Sequence, residues 1–171
     1  MKKKETHSLV KGEKIDRQIE LILLDIRSTY NVGAIFRTAD AVGVSKIHLV
    51  GITPAPIDRF GRPRSDIAKS ALGSEKTMSW ESTKNIVPLL TKIKKNGFQI
   101  IAIEQSKNSV DYKKITPNKK VVVILGNEVK GISEKILKKC DIVAEIPMRG
   151  EKESLNVSVS CGIALFRIFD R

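Results

Sequence analysis

Cysteine, histidine and aromatic residues are scarce in this chain of 171 residues: two cysteines, two histidines, one tryptophan and 5% aromatics in all. Two cysteines cannot build a disulfide framework, and neither Cys140 nor Cys161 has a Cys-x-x-Cys or histidine partner at metal-ligand spacing. No metal site is expected, and a reducing compartment, the cytoplasm, fits best. No run of about 18 apolar residues occurs, and the basic start Met1-Lys-Lys-Lys is followed by polar sequence through Lys14, so neither a membrane span nor a signal core is expected. His48 lies inside Lys46-Ile-His-Leu-Val and reads as a strand residue, which makes histidine catalysis improbable. Acidic residues are also in deficit, 19 against 31 Lys and Arg, for a formal charge of +12. Such a field attracts polyanions and points to nucleic acid, although surplus lysine can serve solubility alone.

What is present is one domain's worth of core, 41% hydrophobic residues. Residues 1–18 are lysine-rich and aperiodic and read as a basic flexible arm; residues 19–171 read as the globular domain. Five apolar runs follow, Leu21–Leu24, Ile47–Val50, Phe98–Ile103, Val121–Leu125 and Ile142–Ile146. Rich in Val and Ile and unbroken by alternation, they suit parallel strands covered on both faces, so the fold class is α/β. Val32, Ile35, Phe36, Ala39 and Val42 recur at helical spacing, with Gly43 where a helix ends. A second helix is expected over Ser82–Lys95, with Pro88 marking a kink or a later start. Residues 52–65 carry three prolines and three arginines without a period and read as a long loop.

Three segments are written in residues that a core does not ask for. Val121–Leu125 runs into Gly126-Asn-Glu-Val-Lys-Gly131, where two glycines let the backbone approach a planar ligand, and Ile132-Ser-Glu134 resembles a helix start. Walker A needs Lys and Ser/Thr after its last glycine and finds Ile132 and Ser133, and no Gly-x-Gly-x-x-Gly follows a strand, so phosphate and dinucleotide motifs are absent. An ordinary glycine turn is the plainer reading. In Asn31-Val-Gly-Ala-Ile-Phe-Arg37-Thr-Ala39, Arg37 stands beside an apolar stripe near a helix start, suited to an anion; the plainer reading has Asn31 as the N-cap and Arg37 solvated. In Ile146-Pro-Met-Arg-Gly-Glu-Lys-Glu-Ser-Leu-Asn156, Ser154 and Asn156 precede a helix whose small and apolar residues on nearly every side predict packing against the core or a second copy; Ser154 as a simple cap is again the plainer reading.

Together, in order and spacing, these segments resemble the signature motifs of the SpoU (TrmH-type) family of RNA ribose 2′-O-methyltransferases in the SPOUT superfamily. The matches are Asn31 to Ala39, Leu125 to Gly131, and Ile146 to Met148 with Ser154 to Ser158, and the resemblance covers roughly residues 20 to 171. It implies a parallel sheet flanked by helices with a C-terminal deep trefoil knot, an exception to the general avoidance of knots. It further implies a homodimer, S-adenosylmethionine as cofactor and RNA as substrate. By the same resemblance Arg37 is the catalytic arginine, with Asn31, Glu128, Ser154 and Asn156 as further site residues. Leu125, Gly126, Glu128, Gly131, Ile146, Met148, Ser154 and Leu155 are the cofactor positions. The family arginine has been proposed as the base that takes the 2′-hydroxyl proton, yet a guanidinium with a pKa near ~12 or above is ineffective at neutral pH. A phosphate clamp that orients the hydroxyl is the alternative role.

Neither a separate N-terminal RNA-binding domain nor a long C-terminal extension of the kind some relatives carry is expected from the sequence, so the substrate stays open. Arg37, Arg59, Arg62, Arg64 and Lys69 are the candidate RNA contacts, a solvated charged face being their plainer reading. A minimal domain favours tRNA over ribosomal RNA. Two other classes compete: a catalytically silent RNA-binding protein of the same fold, and a nucleotide- or small-molecule-binding α/β domain.

Overall fold

Continuous apolar runs make a sheet that is buried on both faces. A computed structural model, describing residues 17–169, arranges seven strands in one sheet. They are β1 (Gln18–Leu24), β2 (Lys46–Val50), β3 (Trp80–Thr83), β4 (Gln99–Ile103), β5 (Val110–Asp111), β6 (Lys120–Leu125) and β7 (Ile142–Glu145). Their spatial order is β3-β2-β1-β6-β4-β7-β5, and every neighbouring pair is parallel. Residues 1–16 of the expected basic arm lie outside the described residues, and β1 begins at Gln18.

Side chains alternate across each strand, so the inner strands feed two cores. Leu21 and Leu23 of β1, Val121 and Val123 of β6 and Ile47 of β2 face the first core. Helices α1 (Thr29–Val42), α2 (Ser65–Ala71) and α6 (Val157–Phe169) cover it through Phe36, Ile67, Leu165 and Phe169. Ile22, Val122, Ile124 and Ile100 face the second core, under α4 (Ile86–Lys95) and the short α5 (Glu134–Leu137). Burial of both faces is why the strands read as unbroken hydrophobic runs.

Helix α1 ends as its sequence predicts: Gly43 takes φ 84°, and its N–H donates to the carbonyls of Ala39 and Asp40. Its start differs from expectation. The N-cap is Ser28, whose Oγ accepts the Asn31 N–H, so Asn31 sits three residues inside the helix with a buried side chain. The expected helix over Ser82–Lys95 begins only at Ile86, because Trp80–Thr83 pairs with β2 as an edge strand. Pro88 then falls in the first turn, where its missing N–H removes no helical bond. Beyond the long loop, residues 65–77 form α2 and a single turn, α3 (Ser74–Thr77), neither of which has a helical period long enough to read.

Gly33 has a packing reason. A Cβ there would run into Ser70 Oγ and the Ile67 carbonyl oxygen, so glycine lets α1 and α2 cross at close range. Ser70 Oγ also donates to the Tyr30 carbonyl across this contact (2.9 Å).

Candidate functional site

Parallel strands send all their carboxyl ends to one edge, where open α/β sheets form ligand crevices. The turn after β6 is built there. Asn127 Oδ1 accepts the N–H groups of Val129 (3.0 Å) and Lys130 (2.9 Å), and the Gly131 N–H returns to the Asn127 carbonyl (2.9 Å). Asn127 Nδ2 donates to the Asp25 carbonyl (2.7 Å), pinning the turn to the end of β1. Both glycines are required by space. A Cβ on Gly126 would meet Gly131 and Ile132 of the returning chain; Gly131 takes φ 62°, and a Cβ on it would meet the Glu104 carboxylate.

With the turn fixed, Glu128 points back at the start of α1. Its carboxylate accepts the N–H groups of Arg27 (3.1 Å) and Ser28 (3.0 Å) and the Asn31 side-chain amide (3.5 Å). Burial pushes the Glu128 carboxyl up, but the N–H groups of Ser28, Glu128 itself and Arg27, with the Asn31 amide, outweigh it and hold the group below the usual carboxylate range. Asn31 Oδ1 in turn accepts from Asn156 Nδ2 (3.1 Å). Asn156 caps α6, its Oδ1 accepting the Ser158 N–H (2.9 Å). Asn156, not Ser154, therefore takes the capping role. The chain Glu128–Asn31–Asn156 joins all three polar segments.

A cavity of about 210 Å³ opens beside this chain, between the ends of the adjacent strands β6, β4 and β7. Leu125, Gly126, Glu128 and Gly131 line it from the first turn, and Ile146, Met148, Ser154 and Leu155 from the segment after β7. Those are the eight positions named from sequence for a cofactor. Five further polar residues line it that sequence reasoning did not name as site residues: Glu104, Gln105, Asn127, Glu145 and Ser160. Glu104 accepts the Ile132 N–H (2.8 Å), and Gln105 Nε2 donates to the Glu153 carbonyl (2.6 Å), tying the last loop to the end of β4. Their position just past a strand's carboxyl end was the available signal. The charged lining is wholly acidic, from Glu104, Glu128 and Glu145, around apolar walls of Ile103, Leu125, Ile146 and Val157. Such a surface suits a planar, partly cationic ligand.

Arg37 lies elsewhere. It is exposed, makes no hydrogen bond or ion pair among the described residues, and borders a second cavity of about 410 Å³ with Tyr30, Thr38, Lys69, Leu72 and Phe166. The two linings share no residue. Helix geometry gives the reason: six residues separate Asn31 from Arg37, about 9 Å along α1 and roughly 120° around it.

The remaining candidate cations divide by partner. Arg62 pairs with Asp58 (2.8 Å) and Arg64 with Asp66 (2.8 Å). The hydrogen bond from Arg64 holds the Asp66 carboxyl down at about 2. Among the described residues Arg59 is held only against the Phe60 ring, its Cζ 4.7 Å from the centroid. His48 lies buried in β2 between Glu81 (2.8 Å) and Glu20 (2.7 Å), away from either cavity lining. Both cysteines are free, and burial pushes Cys161 up to about 12, which leaves it no thiolate at neutral pH. Among the described residues no group of three His, Cys, Asp or Glu could hold a metal, and no helix is long and apolar enough to cross a membrane.

The model of the SpoU rRNA Methylase family matches residues 18–166. A tRNA (guanosine(18)-2′-O)-methyltransferase of Aquifex aeolicus (strain VF5) is 36% identical over 152 residues, 88% of this chain and 69% of the relative. The crystal structure of the A. aeolicus TrmH/SpoU tRNA modifying enzyme superposes with a TM-score of 0.78 at 32% identity, over 91% of this chain and 77% of that one. An AdoMet-bound rRNA methyltransferase from Sinorhizobium meliloti does so with a TM-score of 0.78 at 29% identity, over 88% of this chain but 55% of that one, so the chain spans little more than half of that protein.

Proposed function

This chain belongs to the SpoU rRNA methylase family, and on that premise we propose that it transfers a methyl group from S-adenosylmethionine to a ribose 2′-hydroxyl of structured RNA, tRNA in preference to ribosomal RNA. The observation that carries the reading is the single cavity in which the eight candidate cofactor residues meet, with Glu128, Asn31 and Asn156 hydrogen-bonded along its side. The tRNA preference rests on the Aquifex relative, whose name specifies a tRNA ribose.

The residues present fit the cofactor. Glycines at 126 and 131 let the turn close against Ile132 and Glu104 at the cavity wall, backbone groups of the 125–131 turn can bond an adenine's edge, and the carboxylates offset the positive charge of a sulfonium and an amine. When bound, S-adenosylmethionine supplies a methyl carbon made electrophilic by the sulfonium it hangs on. Everything else falls to the chain. Glu128 orders residues 27–31 and so fixes the start of α1, the helix that bears Arg37. Arg37 grips the phosphate beside the target ribose and turns the 2′-hydroxyl toward attack, and a water takes the hydroxyl proton. Ser154, exposed at the cavity wall, hydrogen-bonds the same phosphate.

Arg37 and the cofactor cavity occupy different sides of one chain, so the reading includes a homodimer in which the Arg37 of one copy faces the cofactor of the other. Exposed apolar groups around Arg37 support it: Tyr30 is 67% exposed, Leu72 66% and Phe166 48%. We also infer that residues 19–171 form the methyltransferase domain, with a deep trefoil knot where the segment after β7 passes the turn after β6, and that residues 1–18 assist RNA binding. The free cysteines favour a cytoplasmic protein.

The test is to incubate the protein with S-adenosylmethionine and either tRNA or ribosomal RNA, digest the product and identify the nucleosides by mass spectrometry. A 2′-O-methylnucleoside, more from tRNA, is expected. RNA binding with neither cofactor binding nor methylation would establish the silent RNA-binding class instead.

A further inference from the structure

The loop between β2 and α2 holds an exposed aromatic side chain in a rigid turn, an arrangement that stability does not explain. Asp58 organises the tip. Its carboxylate accepts the N–H groups of Phe60 (2.8 Å) and Arg62 (2.9 Å), and its own N–H donates to the Arg62 carbonyl (2.8 Å). Gly61 turns the chain at φ 78°, and Ile57 bridges Pro63 below. Phe60, at the summit, is 65% exposed.

Two guanidinium groups attend the ring on different terms. Arg62 lies 5.0 Å from the centroid and is anchored by Asp58, whereas Arg59 lies 4.7 Å away and has no hydrogen bond or ion pair among the described residues. One cation is fixed and the other is displaceable. Thr53 Oγ1 accepts the Ile26 N–H and Asp25 accepts the Ile52 N–H, so the base of the loop is fixed at the sheet edge beside the segment that Glu128 holds.

We infer that Phe60 is a stacking platform for an unpaired base of the substrate RNA. A base that enters takes the ring face held by Arg59, which swings to the neighbouring phosphate, while Arg62 keeps the ring in place. An exposed aromatic ring with cations beside it is the arrangement that single-stranded nucleic acid rewards, because each base offers a π face and each linkage a negative charge. Another protein chain would have to bury these cations against carboxylates, so RNA is the better match to the loop's charge. This inference rests on the reading of the chain as an RNA methyltransferase and names how it selects unpaired targets.

Fluorescence anisotropy with a synthetic RNA stem-loop, and with a fully paired duplex of the same stem, tests it. The exposed ring can be removed without touching the Asp58 turn. Phe60→Ala is expected to weaken stem-loop binding about tenfold and duplex binding less than about twofold, with Phe60→Trp restoring the preference. Equal binding by wild type and Phe60→Ala overturns the inference; so does an equal loss on both RNAs, and so does a change of oligomeric state on gel filtration with RNA binding intact, which would make the loop a protein contact. Methyl transfer by the wild type is measured on the same stock. Transfer with no effect of Phe60→Ala sinks the platform alone, whereas the absence of transfer sinks the enzymatic reading and leaves the binding result standing.

Discussion

Glu128 illustrates how one side chain ties distant parts of the chain together at the cavity. It lies inside the turn after β6, yet its acceptors are spent on the backbone of residues 27 and 28, about a hundred positions earlier in the chain. Its carboxyl is lower in the folded chain than in the unfolded one. A group of that kind lends stability above its unfolded pKa, about 4.3, and loses the contribution as pH falls through the folded value. Glu128→Gln is therefore expected to cost about 1 kcal/mol at neutral pH, a figure kept small because the carboxylate remains open to water. Chemical denaturation of both proteins from pH 7 to pH 3 checks this: the difference should shrink in the acid range. A difference that persists undiminished at pH 3 would assign the effect to packing. Glu81, held low first by its bond to Lys46 and then by His48, adds to the acid sensitivity of both proteins alike and so cancels in the comparison.

At the scale of elements, the crossing of α1 and α2 positions Arg37 next to Lys69. Gly33→Ala would drive a methyl group into Ser70 Oγ and the Ile67 carbonyl. Because one obstacle is backbone, α2 must move, and a loss of about 1–3 kcal/mol is expected. Thermal melting should show it, and adding Ser70→Ala should not repair it; full repair would mean that only the hydroxyl stood in the way. The elements themselves were unequally legible. Five strands announced themselves because burial on both faces demands Val and Ile at successive positions. The edge strands β3 and β5 did not, being short and only partly buried. Ser28 and Asn31 are both good N-caps by type, and only backbone geometry separates them. The site was legible at its three motifs through the resemblance they carry. Glu104, Gln105 and Glu145 were not, since a polar residue at or just past a strand's end looks like any loop residue until the sheet order lines up β6, β4 and β7.

For the whole molecule, the separation of two cavities is the feature that shapes the account. Within one chain the acidic cavity proposed for the methyl donor and the Arg37 cation proposed for a phosphate lie apart; neither lining contains the other's residues. A second copy packed on the exposed surface around Tyr30, Leu72 and Phe166 would bring them together and bury apolar area that otherwise faces water. A disabled cavity is available in Gly131→Val, which puts a branched side chain at a left-handed backbone position against Glu104. The decisive measurement purifies, through two different affinity tags, a heterodimer of one Arg37→Ala chain and one Gly131→Val chain, and assays methyl transfer to RNA alongside both parent homodimers. Arg37→Ala is expected to bind S-adenosylmethionine but transfer nothing, Gly131→Val to be inactive, and the heterodimer to regain about half of wild-type turnover through its one intact composite site. A silent heterodimer, or an Arg37→Ala homodimer that still methylates, would contradict this composite site.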